Sequence, residues 1–312
     1  MPVNRKRMGF TVIELLVTLA IISLLVGMLL PAFSAVRKAA REAKQKAQLT
    51  GIELALSAFK NDDGDYPPSE WSAPAFDYCG AQKLAEALLG WDLLGFHPKS
   101  AWRADGLDIN GGEWTYDPLK KRVRPDGTFE TLYERKGPYL ELATANAFRL
   151  GDSPLGDGLF TSTAGSWGGK IEPKTFVICD VFSLSEKKIT LPNGKKVAPG
   201  TPILYYRANT SSKIINPANP IGSIYNFQDN FPLINLRRLA DCDKPLAQRR
   251  PHRLEDINVF YSADGGIIDP KVVVDAADPK KLWPYRPDSY ILISAGADGF
   301  YGTQDDICNF GN

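Results

Sequence analysis

One uncharged run near the N-terminus constrains this chain more than any other feature. Leu15–Phe33 contains 19 residues without a charge, which is enough for a helix to cross the hydrocarbon core of a bilayer. Arg5, Lys6 and Arg7 precede the run, and such residues favour the cytoplasmic side of a membrane. We therefore predict a membrane-spanning helix, with the rest of the chain on the far side of the membrane.

Two simpler readings of this run leave something unexplained. A cleaved secretory signal peptide would end in a small-residue site such as Ala-x-Ala, whereas Pro31 and an alanine-rich basic stretch end this run. A plain single-span anchor fits the length but not Glu14, because a carboxylate at membrane depth costs about 3 kcal/mol. The glutamate therefore predicts a compensating partner.

The residues around this glutamate, 5–16 (RKRMGFTVIELL), resemble the class III signal of type IV pilins and type II secretion pseudopilins. In that family a membrane peptidase cuts after the glycine, and the new N-terminal phenylalanine is methylated. The resemblance implies a leader of residues 1–9 and a cut between Gly9 and Phe10. It also implies that Glu14 meets the Phe10 amine of a neighbouring subunit, since the two charges attract strongly at low dielectric constant.

The pattern after the apolar run extends the same helix to about residue 60. Polar side chains recur at three- and four-residue steps, and apolar ones then do the same, as in an amphipathic helix. The polar set is Arg37, Arg41, Lys44 and Gln48, and the apolar set is Ile52, Ala55, Leu56 and Phe59. We predict that residues 10–36 form the transmembrane or filament-core part and that residues 37–60 pack on the body through the apolar set.

Residues 61–312 are predicted to form a globular periplasmic domain. The chain has 27 glycines and 23 prolines, which favours strands and turns over a helical bundle. The net charge is +1, and no Lys/Arg run interleaved with aromatic residues follows Gln48. We therefore predict no nucleic-acid partner.

Short motifs in this domain resemble those of the major pseudopilins of type II secretion, in the same order. They are residues 59–67 (FKNDDGDYP), 137–140 (GPYL), 202–207 (PILYYR) and 290–307 (YILISAGADGFYGTQDDI). The resemblance implies an α+β, pilin-like fold. Its long N-terminal helix is transmembrane in the first half and packs on an antiparallel β-sheet.

The chain departs from that family in its size. Residues 89–130, 184–200 and 210–285 look like insertions, and their strands are too interrupted to place. The cysteines form no CxxC pair, which argues against a zinc site, and in an exported domain they could form one or two disulfides in three pairings. They are Cys79, Cys179, Cys242 and Cys308.

Three carboxylates, those of Asp298, Asp305 and Asp306, lie within nine residues near the C-terminus, with glycines between them. Carboxylates in a tight loop repel one another, and a hard cation relieves that repulsion. Ca²⁺ takes six to eight oxygen ligands, including carbonyls of a glycine-bearing loop. The family binds calcium in this loop, and the resemblance implies that the three aspartates are ligands.

Main-chain carbonyls would complete the calcium site. The resemblance assigns them to Ser294 or Ala295 and to a residue near Cys308. Magnesium suits the loop less well, because it keeps several waters and requires a strict octahedron. A solvated acidic turn without any ion is the alternative.

No sequence motif of a catalytic class occurs. G-x-S-x-G, HExxH and P-loop patterns are absent from the sequence. His97 and His252 lie beside prolines, where we expect solvated or otherwise satisfied side chains. Carboxylates are plentiful, but nothing singles out a glycosidase-like pair. We therefore predict no enzymatic activity.

The resemblance implies a structural subunit held in the bacterial inner membrane and polymerised into a periplasmic pseudopilus for protein export. Its partners would be copies of itself, a prepilin peptidase, minor pseudopilins, the inner-membrane assembly platform and membrane lipid. Two alternatives stay open: a subunit of a surface fibre for adhesion or motility, and a membrane-anchored periplasmic enzyme or binding domain. A pocket of convergent polar groups within residues 89–285 would favour the last.

Overall fold

A long helix, α1, begins the protein in the computed structural model. α1 runs from Val12 to Asp63, so the helix predicted over about residues 10–60 is confirmed. It continues through Pro31 and is followed by Gly64 at φ +93°, a conformation that favours glycine. The structure describes residues 11–71, 78–107, 114–116, 132, 134–152, 157–160, 171–184, 186–212, 214–273 and 282–311.

The chain divides into two compact units, Met1–Ala43 and Lys44–Asn312; the second is called the body below. In the first unit, the large apolar side chains from Val12 to Val36 are exposed. Within the described part of the chain, α1 is the one helix long and apolar enough to cross a membrane. The first unit therefore has the composition predicted for a membrane span.

Short elements make up the rest of the body. The helices are α2 (Gly80–Leu89), α3 (Leu142–Ala145), α4 (Phe231–Ile234) and α5 (Ile257–Phe260). The strands are β1 (Ala147–Arg149), β2 (Phe176–Ile178), β3 (Ile189–Thr190), β4 (Lys196–Val197), β5 (Leu204–Arg207), β6 (Ile268–Val273), β7 (Leu282–Pro284), β8 (Tyr290–Ser294) and β9 (Ile307–Cys308). Single 3-10 turns between Pro220 and Glu255 fall in the predicted insertion 210–285.

An antiparallel sheet in the order β5-β8-β9 lies at the centre of the body. Leu204 pairs with Ile293, and Ser294 pairs with Ile307. The pairs β1–β2, β3–β4 and β6–β7 are antiparallel as well. The predicted α+β class, a long helix followed by antiparallel sheets, is therefore confirmed.

The central sheet is covered on both faces, because successive side chains of a strand point to opposite sides. Tyr205 belongs to one buried cluster with Phe59 of α1 and Leu88 of α2. Tyr206 belongs to a second buried cluster, with Phe260 of α5. The insertion 210–285 thus supplies the cover of the sheet face opposite α1, a role that the sequence did not indicate.

The apolar set predicted on α1 is buried as expected, but one member of the polar set is not solvated. Gln48 is half-buried, and its Nε2 donates to the carbonyl oxygen of Cys179 at 2.9 Å and that of Ala145 at 3.4 Å. The neighbouring Gln45 is fully buried, and its Oε1 accepts the Val181 N–H at 2.9 Å. These amides face the body at the ends of helix α3 and strand β2, where main-chain groups without a partner in the helix or sheet need hydrogen bonds.

The four cysteines are free thiols in this structure, so the disulfides that the sequence left possible are not formed. Cys79, Cys179 and Cys242 are buried, and Cys308 is half-buried. Burial raises the pKa of Cys79 to about 11. Burial raises the pKa of the other three thiols as well, and since the thiolate is the reactive form, burial lowers the reactivity of all four.

Candidate functional site

The predicted assembly residue, Glu14, lies in the first turn of α1 and is exposed. Its Oε2 accepts hydrogen bonds from the N–H and the hydroxyl of Thr11, both at 2.8 Å. The Glu14 N–H donates back to the Thr11 hydroxyl at 3.3 Å, which makes a reciprocal capping box. Sequence reasoning missed Thr11, although Thr-x-x-Glu at residues 11–14 is the pattern that signals such a cap.

The local cap supplies hydrogen bonds to the Glu14 carboxylate but no positive charge. Among the described residues, no ion pair to Glu14 forms. The predicted partner, the Phe10 amine, and the predicted cleavage position at Gly9 both lie outside the described residues. The pairing of Glu14 with the Phe10 amine and the cleavage after Gly9 therefore stay predictions. The structure adds that the Glu14 carboxylate is exposed and held by hydrogen bonds to Thr11.

The C-terminal loop between β8 and β9 brings the three predicted carboxylates together. The Asp305 Oδ2 accepts the N–H of Asp298 at 3.0 Å, and its Oδ1 accepts the Thr303 hydroxyl at 2.6 Å. The Asp306 Oδ2 accepts the N–H of Gly302 at 2.7 Å. Hydrogen bonds within the loop thus hold these side chains inside it rather than out in solvent.

The electrostatics of this loop reflect crowded negative charge. Burial raises the pKa of Asp306 to about 8, and the charges of Asp305 and Asp298 add to the rise. Burial and the Asp305 charge also raise the pKa of Asp298. Burial acts in the same direction on Asp305, but hydrogen bonds from Thr303 and Asp298 outweigh it and lower its pKa. The carboxyl group of Asp305 therefore ionises readily, whereas those of Asp298 and Asp306 resist ionisation.

The remaining predicted ligands lie at the two ends of the loop. Ser294 ends β8 and is buried, as is Ala295 after it, while Cys308 ends β9. Gly296, Gly299 and Gly302 have positive φ and give the loop its tight turns. The donor chemistry fits Ca²⁺, but among the described residues no three His, Cys, Asp or Glu side chains are arranged around one metal position. The ligand set stays a prediction.

Two residues far away in sequence hold this loop, and sequence reasoning missed both. Asp180 is fully buried, and its carboxylate accepts the Ser294 hydroxyl at 3.1 Å. Arg238, from the insertion, donates from Nε to the Asp298 carbonyl oxygen at 3.0 Å, and its guanidinium lies 5.0 Å from the centre of the Phe300 ring. No local pattern could have signalled contacts across 60 to 114 residues.

One groove in the described part of the body bears on the enzyme alternative. It encloses about 630 Å³ beside Lys44, Gln48 and Gly51 of α1 and also contacts Leu140 and Asn146. Its lining contains no carboxylate, imidazole or thiol. The polar groups that converge here, such as Gln48, are directed at main-chain carbonyls.

Both histidines are buried, so they are satisfied rather than solvated. The His97 Nδ1 accepts the N–H of Lys99 at 3.1 Å, and the His252 Nδ1 accepts the N–H of Tyr301 at 3.2 Å. Burial lowers the pKa of His252 to about 3. A neutral histidine whose ring nitrogen already accepts a main-chain bond acts here as a packing and bonding group.

Comparison with known proteins fits this arrangement. Residues 4–30 match the family described as the prokaryotic N-terminal methylation motif. Together with the apolar α1 and the antiparallel sheets of the body, this motif fits a pilin-like protein that α1 could anchor in a membrane. The chain is similar to the type II secretion system core protein G of Escherichia coli (strain K12), at 27% identity over 135 residues, 42% of this chain and 90% of that protein. No solved structure matches the chain. The predicted resemblance is confirmed.

Proposed function

We propose that this protein is a structural subunit that polymerises into a periplasmic pseudopilus for protein export by type II secretion. The observation that carries the proposal is the methylation motif of residues 4–30 at the head of a helix with exposed apolar side chains. Similarity to a type II secretion core protein over 90% of that relative adds support. The subunit performs no chemistry of its own.

In this proposal, one contact between subunits offsets the energetic cost of two charges at membrane depth. Cleavage between Gly9 and Phe10 leaves a charged amine at membrane depth, and Glu14 carries a carboxylate there; each is expensive alone. Pairing the Phe10 amine of one subunit with Glu14 of the next offsets both charges and fixes the register. Thr11 prepares the carboxylate, because its two hydrogen bonds hold Glu14 at the start of α1.

The apolar side chains of α1 supply the rest of the interaction. Between Val12 and Val36 they are exposed in the single chain, and helices that exchange lipid contacts for contacts with one another gain from close van der Waals packing. Lipid covers them before assembly, and neighbouring copies of α1 cover them in the filament. Prepilin peptidase, minor pseudopilins and the inner-membrane assembly platform would act on the chain in between.

We also propose that the loop between β8 and β9 binds calcium. Asp298, Asp305 and Asp306 would be the side-chain ligands, and the carbonyls would come from Ser294 or Ala295 and from near Cys308. The raised pKa values of Asp298 and Asp306 support this, because they reflect repulsion and burial that a divalent cation would offset. Bound ion would supply charge neutralisation and tie the two ends of the loop together.

The experiment compares the wild type with Glu14→Val in cells that contain the secretion machinery. We expect mass spectrometry to find both chains starting at N-methylated Phe10, and electron microscopy to find filaments of the wild type only. Thr18→Val is the matched control, since it removes a polar group bonded only within its own helix, and it should assemble. Normal filaments of Glu14→Val would refute the assembly proposal, and filaments outside the cell at wild-type expression would favour a surface fibre.

A further inference from the structure

One fully buried carboxylate, that of Asp180, lies at the base of the C-terminal loop. Its Oδ1 accepts the N–H groups of Phe182 and Thr201, both at 3.1 Å. Its Oδ2 accepts the hydroxyl of Ser294 at 3.1 Å. A single side chain therefore joins three segments: the one that follows β2, the one that precedes β5, and the end of β8.

The Ser294 hydroxyl extends this hydrogen-bond network into the loop. It donates to Asp180, and its oxygen accepts the N–H of Gly296 at 3.3 Å. Gly296 has φ +64°, and a side chain there would collide with the carbonyl oxygen of Asp305. The contacts thus run without a gap from Asp180 through Ser294 and Gly296 to Asp305.

The surroundings of Asp180 are built closely around its carboxylate. A side chain at Gly200 would collide with the Asp180 carbonyl oxygen and with Oδ1. Removal of a hydrogen-bond acceptor from a buried site leaves its donors unsatisfied. The Asp180 side chain therefore fixes the positions of the three groups that donate to it.

We propose that Asp180 is a positioning residue for the C-terminal loop. Through Ser294 it fixes Gly296, and so it holds Asp298, Asp305 and Asp306 together before any cation arrives. The identity of the cation rests on the calcium function proposed above, but the positioning is a property of the ion-free chain. Groups ordered in advance lower the cost of binding, so calcium affinity should depend on this contact.

The test measures hydrogen exchange of the full-length protein in detergent with EGTA present. In Ser294→Ala, which leaves the main-chain bonds of Asp180 intact, we expect amides of residues 294–306 to exchange roughly tenfold faster than in the wild type. Ser294→Thr keeps the hydroxyl and should restore the slow exchange. Asp180→Ala should loosen the same residues if it folds, and Ser294→Ala carries the test if it does not.

Asp229→Asn is the matched control, because Asp229 is another fully buried carboxylate, bonded to Ser69 at a distant place in the body. It should leave the exchange of residues 294–306 unchanged. Equal loop exchange in Ser294→Ala and the wild type would overturn the proposal. So would equal loosening of the whole body, because a merely structural role would not confine the effect to the loop.

Calcium titration separates this inference from the proposed function. Calcium should slow the exchange of residues 294–306 in the wild type, and Ser294→Ala should need roughly tenfold more calcium for the same protection. A wild-type loop that ignores calcium while Ser294→Ala loosens in EGTA would refute calcium and support positioning. A wild-type loop that responds to calcium while Ser294→Ala behaves identically would support calcium and refute positioning.

Discussion

The two units of this chain treat the same kind of side chain in opposite ways. Leu19, in the first unit, is 52% exposed, whereas Leu56, on the same helix α1 but in the body, is fully buried. The sequence around both is apolar and helical, so helix propensity does not explain the difference. What differs is the partner: the body supplies its own, and the first unit needs lipid or further copies of the chain.

Three carboxylates follow the same division between the two units. Glu14 is exposed, and its described partner is Thr11, the residue before its own helix. Asp180 and Asp229 are fully buried and bonded to distant segments. The first unit therefore presents groups that await a partner, and the body encloses groups that already have one. Substitutions in the two units should then affect different measurements.

The largest difference in the free energy of unfolding should be between alanine substitutions of two leucines, one in each unit. Leu56→Ala leaves a cavity in the buried cluster between α1 and the sheet, and we expect a loss of about 2–5 kcal/mol in the free energy of unfolding. Leu19→Ala should change it by less than about 0.5 kcal/mol. All six tryptophans lie in the body, so tryptophan fluorescence during urea unfolding in detergent measures the body alone. Equal effects would mean that the first unit also packs within the single chain.

Calcium should stabilise the body by a comparable amount. Modules of this kind bind calcium with dissociation constants of about 0.1–1 mM, so 10 mM calcium is about 10–100 times the dissociation constant and adds about 1.4–2.7 kcal/mol. We therefore expect millimolar calcium to raise the melting temperature of the full-length protein, and an equal concentration of magnesium to do much less. Asp305→Ala combined with Asp306→Ala should abolish the response.

The matched control for calcium is another adjacent pair of aspartates. Asp62 and Asp63 end α1 and are exposed, so Asp62→Ala with Asp63→Ala removes the same charge without touching the loop. This variant should keep the calcium response. If the melting temperature ignores calcium, or if the loop variant still responds, the acidic turn is solvated and binds no ion.

The buried Asp229 predicts a smaller, pH-dependent effect. Burial raises the pKa of Asp229 to about 7, although hydrogen bonding to Ser69 and the charge of Lys83 oppose the rise. The folded chain thus holds a proton that the unfolded chain releases near pH 4, and the resulting stability is lost as pH rises from about 4 to about 7. Asp229→Asn should remove on the order of 2 kcal/mol of this decline, measured as the free energy of unfolding against pH.

An exposed aspartate serves as the control for this pH dependence. Asp264 has 77% of its side chain exposed and pairs with Arg253 at 3.2 Å, so Asp264→Asn should leave the slope between pH 4 and pH 7 as in the wild type. A wild-type slope in Asp229→Asn would show that this carboxyl group titrates normally.

The smallest effect should come from two glycines within α1. A side chain at Gly51 or Gly27 would meet no atom within 4 Å, and alanine in a helix is favoured over glycine by about 0.5–1 kcal/mol. Gly51→Ala should stabilise the body by that amount, and Gly27→Ala should leave its unfolding unchanged. A gain from Gly27→Ala would show that the two halves of α1 unfold together.

The elements predicted correctly are those whose cause is local. The apolar periodicity gave α1 to within a few residues, and the motifs at residues 202–207 and 290–307 contain β5 and β8. The loop carboxylates could be predicted because Asp298, Asp305 and Asp306 are close in sequence. Each of these signals lies within a window of about twenty residues or fewer, apart from α1 itself.

What could not be predicted depends on contacts between distant segments. The hydrogen bond between Asp180 and Ser294 spans 114 residues, and nothing near either residue marks it. Gln48 looked like a solvated residue because its neighbours at helical spacing are charged, but the carbonyls of Cys179 and Ala145 give it buried partners. The insertion 210–285 carried too many breaks for a pattern, yet Phe260 and Leu254 complete the core.

The way α1 is held in the body has a mechanical consequence. Sliding the helix along its axis by one turn, about 5.4 Å, would break the amide bonds of Gln45 and Gln48 and would pull Ile52, Leu56 and Phe59 out of their places at the same moment. Because all of these contacts would have to break together, the attachment of this part of α1 to the body is stiff. A force along residues 44–63 of α1 is therefore transmitted to the whole body without slip.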